Sequence, residues 1–213
     1  MHIAIFGASG ATGRLLTDHS LEAGHTVTAL VRSPASFPFR DRVTVVQGNA
    51  FDPAAVALTV DGAQVVFSAL GAKSPLRNEN VLPRAVPLII EAMRHAGVRR
   101  IIVLGAAGAR PDALRNQPAW RRWVIQSLIF NTVLKWPIHD QIVQLNLLSA
   151  SGLDWTMVLP PRLTNGPAHG ICRIDADALP RLGSSISRSD VADFMFQQIA
   201  NSEWIGKSVY LSD

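Results

Sequence analysis

The stretch Ile3-Ala4-Ile5-Phe6-Gly7-Ala8-Ser9-Gly10-Ala11-Thr12-Gly13 decides the fold of this chain of 213 residues. The apolar run breaks into a loop with three glycines, a helix is predicted over 14–23, and a second apolar run covers 27–31. Gly7 permits a tight turn, Gly10 lets the backbone approach a pyrophosphate, and Gly13 lets the helix lie close to the sheet. Free N–H groups at the helix N-terminus favour an anion. The pattern therefore predicts a βαβ unit that binds a dinucleotide.

The end of the second strand indicates which dinucleotide is bound. NAD-binding units of this type usually place Asp or Glu there for the ribose hydroxyls, whereas this chain has Arg32 and Ser33. A guanidinium pairs with a 2′-phosphate in fork geometry, which a carboxylate would repel. We therefore predict that NADP(H) is preferred over NAD(H), with Ser33 as a further donor and Arg14 as additional positive charge. The alternative is that Arg32 is a solvated arginine at the end of a strand.

The rest of the chain alternates between strand-like and helix-like stretches, which predicts an α/β fold with a doubly wound parallel sheet, a Rossmann fold. Further strands are predicted at 43–47, 63–67, 101–104, 156–159 and 208–211, and helices at 53–60, 81–95, 138–149 and 189–200. The length suits a single domain over residues 1–213.

Two segments, about 105–137 and 160–188, interrupt this alternation after the carboxyl end of a strand, and we expect them to cap the crevice above the cofactor. The first segment contains Trp120, Trp123 and Trp136 between basic residues. A helix that contributes to the substrate pocket is the plainer interpretation. A subunit contact and a membrane-surface helix are the alternatives.

Composition excludes several other classes of protein. No apolar run approaches about 18 residues without charge, and no cleavable signal is visible, so a cytoplasmic protein without a membrane span is expected. Cys172 is the only cysteine, which excludes an internal disulfide and a cysteine metal site and suggests a passive thiol. Because the small excess of Lys and Arg is scattered, we expect no nucleic-acid partner, and we predict no metal.

Several motifs together resemble a known family: Ile5 to Gly13, Leu30-Val31-Arg32, Val46-Gln47-Gly48-Asn49, Leu70-Gly71, Ser151-Gly152-Leu153, Leu159-Pro160-Pro161 and Ile186-Ser187-Arg188-Ser189-Asp190. The chain resembles the atypical short-chain dehydrogenases of the NAD(P)H-binding type, and among them the biliverdin reductase B type of NADPH-dependent flavin reductase. The resemblance implies the following cofactor contacts: the pyrophosphate on Gly7, Ala8, Ser9, Gly10, Ala11, Thr12 and Gly13, the 2′-phosphate on Arg32, the adenine at Asn49, the nicotinamide ribose at Ala69, Leu70 and Gly71, and the nicotinamide ring near Pro160 and Pro161.

The chain departs from this family at the positions expected to carry chemistry. Carbonyl-reducing members use a Tyr-x-x-x-Lys pair, but the only tyrosine here, Tyr210, lies in the last predicted strand. The serine expected after the fifth strand is Ala106, and the histidine expected after the two prolines is Arg162. Arg162, His139 and Asp140 are the catalytic candidates: Arg162 to attract an anionic acceptor or stabilise charge, and the other two as acids. For Asp140 the alternative is that it complements the N-terminal dipole of its own helix.

Two functions remain open at this point. The first is an NADPH-dependent reductase that transfers a hydride to a flavin or a quinone-like acceptor, because this reaction chiefly needs two positioned rings. The second is a non-catalytic NADP-binding redox sensor or scaffold, similar to the nitrogen-metabolite repressor type. The missing Tyr-Lys pair favours the second, and the intact cofactor motif favours the first.

Overall fold

The computed structural model describes residues 1–72, 74, 76–170 and 172–213 and shows a large, mostly parallel sheet. Its strands are β1 (His2–Phe6), β2 (Thr26–Val31), β3 (Thr44–Gln47), β4 (Val65–Ser68), β5 (Arg100–Leu104), β6 (Asp154–Leu159), β8 (Arg173–Asp175) and β10 (Lys207–Ser212). Strands β7 (Arg162–Thr164) and β9 (Ser185–Ser187) form a separate parallel pair. The order in the large sheet is β3-β2-β1-β4-β5-β6-β10-β8. The predicted doubly wound α/β fold is confirmed.

Helices cover both sides of this sheet. Their bounds are α1 (Ala11–Glu22), α2 (Pro53–Val60), α3 (Val81–His95), α4 (Ala119–Val124), α5 (Lys135–Ser149) and α6 (Arg188–Gln197), with a π-helical stretch over Ile125–Val133. Two predicted starts were too late, because α1 begins three residues before Arg14 and α5 three residues before Ile138. Among the described residues, no helix combines the length and the apolar character needed to cross a bilayer.

Alternating residues of the strands pack into two separate hydrophobic cores, one on each side of the sheet. Ala4 and Phe6 belong to the core under α2, α3 and α5, while Ile3 and Ile5 belong to the core under α1 and α6. The strands are therefore apolar on both faces, as central strands of a doubly wound sheet must be. Burial on both sides fixes the register of the central strands and the position of their carboxyl ends.

The edge of the sheet carries a feature that the sequence analysis did not predict. Strand β8, from the segment 160–188, runs antiparallel to β10, with Leu211 opposite Ile174. Strand β8 has only three residues, which is too few for an alternation of apolar and polar residues to be recognised in the sequence.

Asp190 ties the loop that precedes β8 to the start of α6. Its Oδ1 accepts hydrogen bonds from the backbone N–H groups of His169 (2.8 Å) and Gly170 (2.9 Å), and its Oδ2 accepts one from the Ser187 hydroxyl (2.6 Å). Ser187 in turn caps the helix by accepting from the Asp190 N–H. Burial of Asp190 opposes ionisation, but these hydrogen bonds lower the pKa of its carboxyl below the ordinary 3.8.

We expect Asp190→Asn to lower the free energy of unfolding at neutral pH by roughly 1 to 3 kcal/mol, since hydrogen bonds to a charged group are lost. Because the folded-state pKa of this carboxyl is lowered, its contribution is present above 3.8 and is lost as the pH falls further. Urea unfolding of wild type and variant over a series of pH values measures this. Asp193→Asn on the same helix is the control, and an equal loss in both variants at neutral pH would contradict the role of Asp190.

Candidate functional site

The carboxyl ends of β1 and β4 border a cleft at the point where the strand order reverses. Strand β1 pairs with β2 on one side and with β4 on the other, and the helices that follow β1 and β4 pack on opposite faces of the sheet. Ligands of open α/β sheets bind in such a crevice. The cleft has a volume of about 300 Å³, and these residues line it: Gly7, Ser9, Gly10, Leu30, Arg32, Gly48, Asn49, Ala50, Phe51, Ala69, Leu70, Gly71, Glu79 and Val81.

A larger cavity, of about 950 Å³, lies beside α6 and includes His19, Phe196 and Trp204 in its lining. None of the residues predicted from the sequence to bind the cofactor or act in catalysis lines it. The cleft at the switch point is therefore the candidate site despite its smaller volume, because the glycine loop and the strand ends converge there.

The glycine loop is shaped by contacts that leave no room for side chains. Gly7 has φ +79°, and a Cβ on it would lie 2.6 Å from the carbonyl oxygen of Ala69. A Cβ on Gly13 would lie 2.1 Å from the carbonyl oxygen of Gly7. These contacts hold the first turn of α1 against the ends of β1 and β4. Ala8, Thr12 and Gly13 are buried beneath the loop, while Ser9 and Gly10 face the cleft.

The N-terminus of α1 is available to an anion. Gly10 is the N-cap residue and offers no side chain to the first-turn N–H groups, and the first turn contains no acidic residue. Ala11 is exposed there. Arg14 stabilises the loop, since its Nε donates a hydrogen bond to the Ser9 carbonyl (3.0 Å). A phosphate group is the kind of ligand that such a helix end favours.

Arg32 and Asn49 lie at the end of the cleft formed by β2 and β3. Arg32 is exposed, and its guanidinium makes no ion pair or hydrogen bond with the part of the chain that the structure describes. Ser33 is exposed beside it, at the start of a short 3₁₀ turn. The Asn49 Oδ1 accepts a hydrogen bond from the Phe51 N–H (3.2 Å), which leaves its amide NH₂ for a ligand.

Sequence reasoning missed part of the lining, most clearly Phe51 and Val81. The ring of Phe51 lies 3.9 Å from the guanidinium carbon of Arg84, in a cation–π contact between the β3–α2 loop and α3. Gly48 was quoted only as part of a motif, yet a Cβ on it would lie 2.5 Å from the Cβ of Ala55. Phe51 lies two residues after Asn49, which was predicted to bind the adenine. This closeness in sequence could have indicated that Phe51 also lines the cleft.

The other end of the cleft is formed by the loop after β4. Ala69, Leu70 and Gly71 line it, as does Gly7 of the glycine loop. Pro160 and Pro161 follow β6, two strands further along the same edge of the sheet. The Pro160 carbonyl accepts a hydrogen bond from the Ala107 N–H (2.9 Å) and so joins the loops after β5 and β6.

Comparison with known proteins identifies the family. A family model described as NAD(P)H-binding matches residues 7–202. The chain belongs to this NAD(P)H-binding family. The more specific resemblance to the biliverdin reductase B type stays a prediction.

One relative of this NAD(P)H-binding protein and two solved structures illustrate the similarity. The reductase pytE of Aspergillus terreus is 26% identical, and the match covers 99% of this chain and 97% of the relative. A short-chain dehydrogenase/reductase of Veillonella parvula, solved in complex with NADP, has a TM-score of 0.79 at 22% identity over 100% of this chain and 94% of that one. The anaerobilin reductase ChuY of Escherichia coli O157:H7 has a TM-score of 0.80 at 21% identity, with 100% and 97% covered. The two solved structures support the fold.

The three catalytic candidates of this NAD(P)H-binding protein lie in different surroundings, and none of them lines the cleft. Arg162 is exposed at the first position of β7. The side chain of His139 is exposed on α5, with its Nδ1 3.9 Å from Asp140 Oδ1, which is too long for a hydrogen bond. The third candidate, Asp140, is described below. Tyr210 is not one of the candidates: it is fully buried in β10, and burial raises the pKa of its hydroxyl, so it stays protonated. Of the predicted cofactor residues, the cleft brings together Gly7, Ser9, Gly10, Arg32, Asn49, Ala69, Leu70 and Gly71, whereas Ser33, Pro160 and Pro161 do not line it.

Asp140 stabilises a different helix from the one expected. Because α5 begins at Lys135, Asp140 lies beyond its first turn, and its Oδ2 instead accepts a hydrogen bond from the Leu82 N–H of α3 (3.4 Å). Asn80, the N-cap residue of α3, has φ +46° and makes no side-chain capping hydrogen bond. Burial raises the pKa of the Asp140 carboxyl, although the N–H groups of Leu82 and Val81 act to lower it. Since Val81 lines the cleft, this buried carboxyl holds one wall of the cleft in position.

We expect Gly13→Ala to destabilise the protein by roughly 1 to 3 kcal/mol, because the added methyl group overlaps the Gly7 carbonyl and forces backbone to move. The same movement should weaken NADPH binding. Thermal unfolding and a binding titration measure the two effects. Gly166→Ala is the matched control, since nothing lies within 4 Å of a Cβ there. Equal stability of the two variants would show that the close contact at Gly13 is unimportant.

Proposed function

We propose that this NAD(P)H-binding protein is an oxidoreductase that uses NADPH, in preference to NADH, to reduce a flavin or a quinone-like small molecule. The proposal rests on one observation: the cleft combines the glycine loop, the open N-terminus of α1 and the exposed guanidinium of Arg32. No carboxylate follows β2 to favour the ribose hydroxyls of NAD.

The residues of the candidate site suit a dinucleotide that carries a 2′-phosphate. The glycine loop from Gly7 to Gly13 would hold the pyrophosphate through backbone N–H groups, and Arg32 with Ser33 would hold the 2′-phosphate. Asn49 would contact the adenine with its free amide NH₂. Ala69, Leu70 and Gly71 would border the nicotinamide ribose, and Pro160 and Pro161 would border the ring.

The main contribution of the chain to this reaction would be to position the cofactor and the acceptor. When bound, NADPH supplies the hydride. The exposed Arg162 would attract an anionic acceptor such as a flavin phosphate, and its charge would stabilise negative charge on the reduced ring. Asp140 contacts the start of α3, where Val81 lines the cleft, and we propose Asp140 and its neighbour His139 as proton sources for acceptors that need one.

The relatives are consistent with this chemistry. A fungal relative is named a reductase, one structural neighbour is a complex with NADP, and another is an anaerobilin reductase. We infer from these names that the acceptor is a small molecule. That the protein has no nucleic-acid partner and is cytoplasmic stays a prediction from composition.

A non-catalytic NADP-binding sensor is the second candidate function. It is favoured because Arg162, His139 and Asp140 do not line the cleft, and because Ala106 stands where a serine is expected. A sensor requires only cofactor binding, whereas a reductase must leave one face of the nicotinamide open to the acceptor. Turnover is therefore the property that separates the two.

We expect Arg32→Asp to weaken NADPH binding by at least about tenfold and to change NADH binding little, because only NADPH carries the phosphate that the guanidinium pairs with. Fluorescence titration with both cofactors measures the two dissociation constants. Arg42→Asp, an exposed arginine outside the cleft, is the control and should bind both cofactors as wild type does. Equal losses for NADPH and NADH in Arg32→Asp would exclude the phosphate role.

We expect the purified protein to oxidise NADPH well above a protein-free control when FMN, riboflavin or a small quinone is added. Loss of the reduced-nicotinamide absorbance measures this.

If Arg162 attracts the acceptor phosphate, Arg162→Ala should raise the KM for FMN more than for uncharged riboflavin and leave NADPH binding unchanged. Absence of turnover in a preparation that binds NADPH would reject the reductase and favour the sensor.

A further inference from the structure

The helical segment over residues 119–136 exposes a row of large apolar side chains, which we call the tryptophan face: Trp120, Trp123, Leu128, Ile129 and Trp136. Trp120 and Trp123 are 69% and 64% exposed, and Leu128 is 56% exposed. Half of the exposed large apolar side chains among the described residues lie between Trp120 and Ile142. Such a concentration on one surface marks an interaction site rather than scattered exposure.

The opposite side of the same segment is attached to the body of the protein. Ile125 and Phe130 pack against the core under α3 and α5. A Cβ on Gly108, in the loop after β5, would lie 2.7 Å from Ile138 and 3.2 Å from Phe130. The segment is therefore fixed in orientation, and its tryptophan face points away from the fold.

Basic residues flank this face, although one of those nearby, Arg115, forms an ion pair with Asp177 (2.9 Å). Between Asp112 and Asp140 the sequence contains four Arg or Lys residues and no Asp or Glu, and the rest of the chain has equal numbers of acidic and basic residues. The side chains of Arg122 and Lys135 are exposed beside the tryptophans, and the Lys135 Nζ lies 5.0 Å from the centre of the Trp136 ring. Two exposed cations, Arg122 and Lys135, thus lie in the segment that carries the apolar surface.

We propose that the tryptophan face binds the surface of an anionic phospholipid bilayer. Tryptophan favours the interface between lipid and water, and exposed Arg and Lys are attracted to anionic headgroups. A helix with an apolar face and flanking cations lies in the plane of this interface without crossing it. A second copy of the chain suits the face less well, because a symmetric contact would oppose Arg122 and Lys135 to the same cations with no carboxylate to pair them.

Sedimentation with lipid vesicles tests this proposal, and it needs neither cofactor nor turnover, so its outcome is independent of the proposed reductase activity. The protein should bind vesicles made of equal parts phosphatidylcholine and phosphatidylglycerol, and bind vesicles of phosphatidylcholine alone much more weakly. Trp120→Ser/Trp123→Ser and Arg122→Glu/Lys135→Glu should each reduce binding to the anionic vesicles by at least about tenfold.

Two control variants change the same kinds of residue elsewhere on the surface. Leu58→Ser alters a leucine that is 64% exposed on α2, and Arg40→Glu/Arg42→Glu reverses two exposed arginines. Both should bind the anionic vesicles as wild type does. Circular dichroism and thermal unfolding verify that each variant is folded. If Trp120→Ser/Trp123→Ser unfolds, vesicle binding by Arg122→Glu/Lys135→Glu alone decides the outcome.

Three results would overturn the proposal. The first is an absence of binding to anionic vesicles, and the second is equal binding by wild type and both face variants. The third is a dimer in sedimentation velocity that Trp120→Ser/Trp123→Ser dissociates while no vesicle binding is found, which would assign the face to a second copy.

Discussion

The close approach of the first turn of α1 to the end of β1 is the constraint on which the site depends. A side chain at Gly13 or Gly7 would collide with backbone, so these two positions let the helix and the ends of β1 and β4 meet. That contact directs the open N-terminus of α1 into the crevice where the strand order reverses. Residues that follow β2, β3 and β4 then reach the same cleft, because parallel pairing places the carboxyl ends of these strands at one edge of the sheet.

Two buried carboxylates each join parts of the chain that are distant in sequence. Asp140 accepts from the first N–H groups of α3, which belongs to the wall of the cleft, and Asp190 accepts from the loop between β7 and β8. In both cases one charge satisfies backbone groups that would otherwise lack a partner. Their pKa values shift in opposite directions, because Asp190 receives more and shorter hydrogen bonds than Asp140.

The fold and the cofactor motif could be read from the sequence because their signals are local. The glycine loop and the apolar strands each fall within a few consecutive residues, and the end of β2 is placed by the same pattern. The role of Asp140 could not be predicted, since its partner Leu82 is 58 residues away in sequence. Strand β8 was missed for a related reason: its pairing with β10 is set by tertiary contacts and not by its own three residues.

Strand β8 has a consequence for how copies of this molecule meet in solution. Without it, β10 would end the sheet and would present a row of unpaired N–H and C=O groups to other chains. The antiparallel pairing over residues 210–212 occupies part of that row, and Arg173 in β8 donates hydrogen bonds to the Asp213 and Arg181 carbonyls. A strand this short leaves little template for a further strand, so this end of the sheet resists edge-to-edge aggregation.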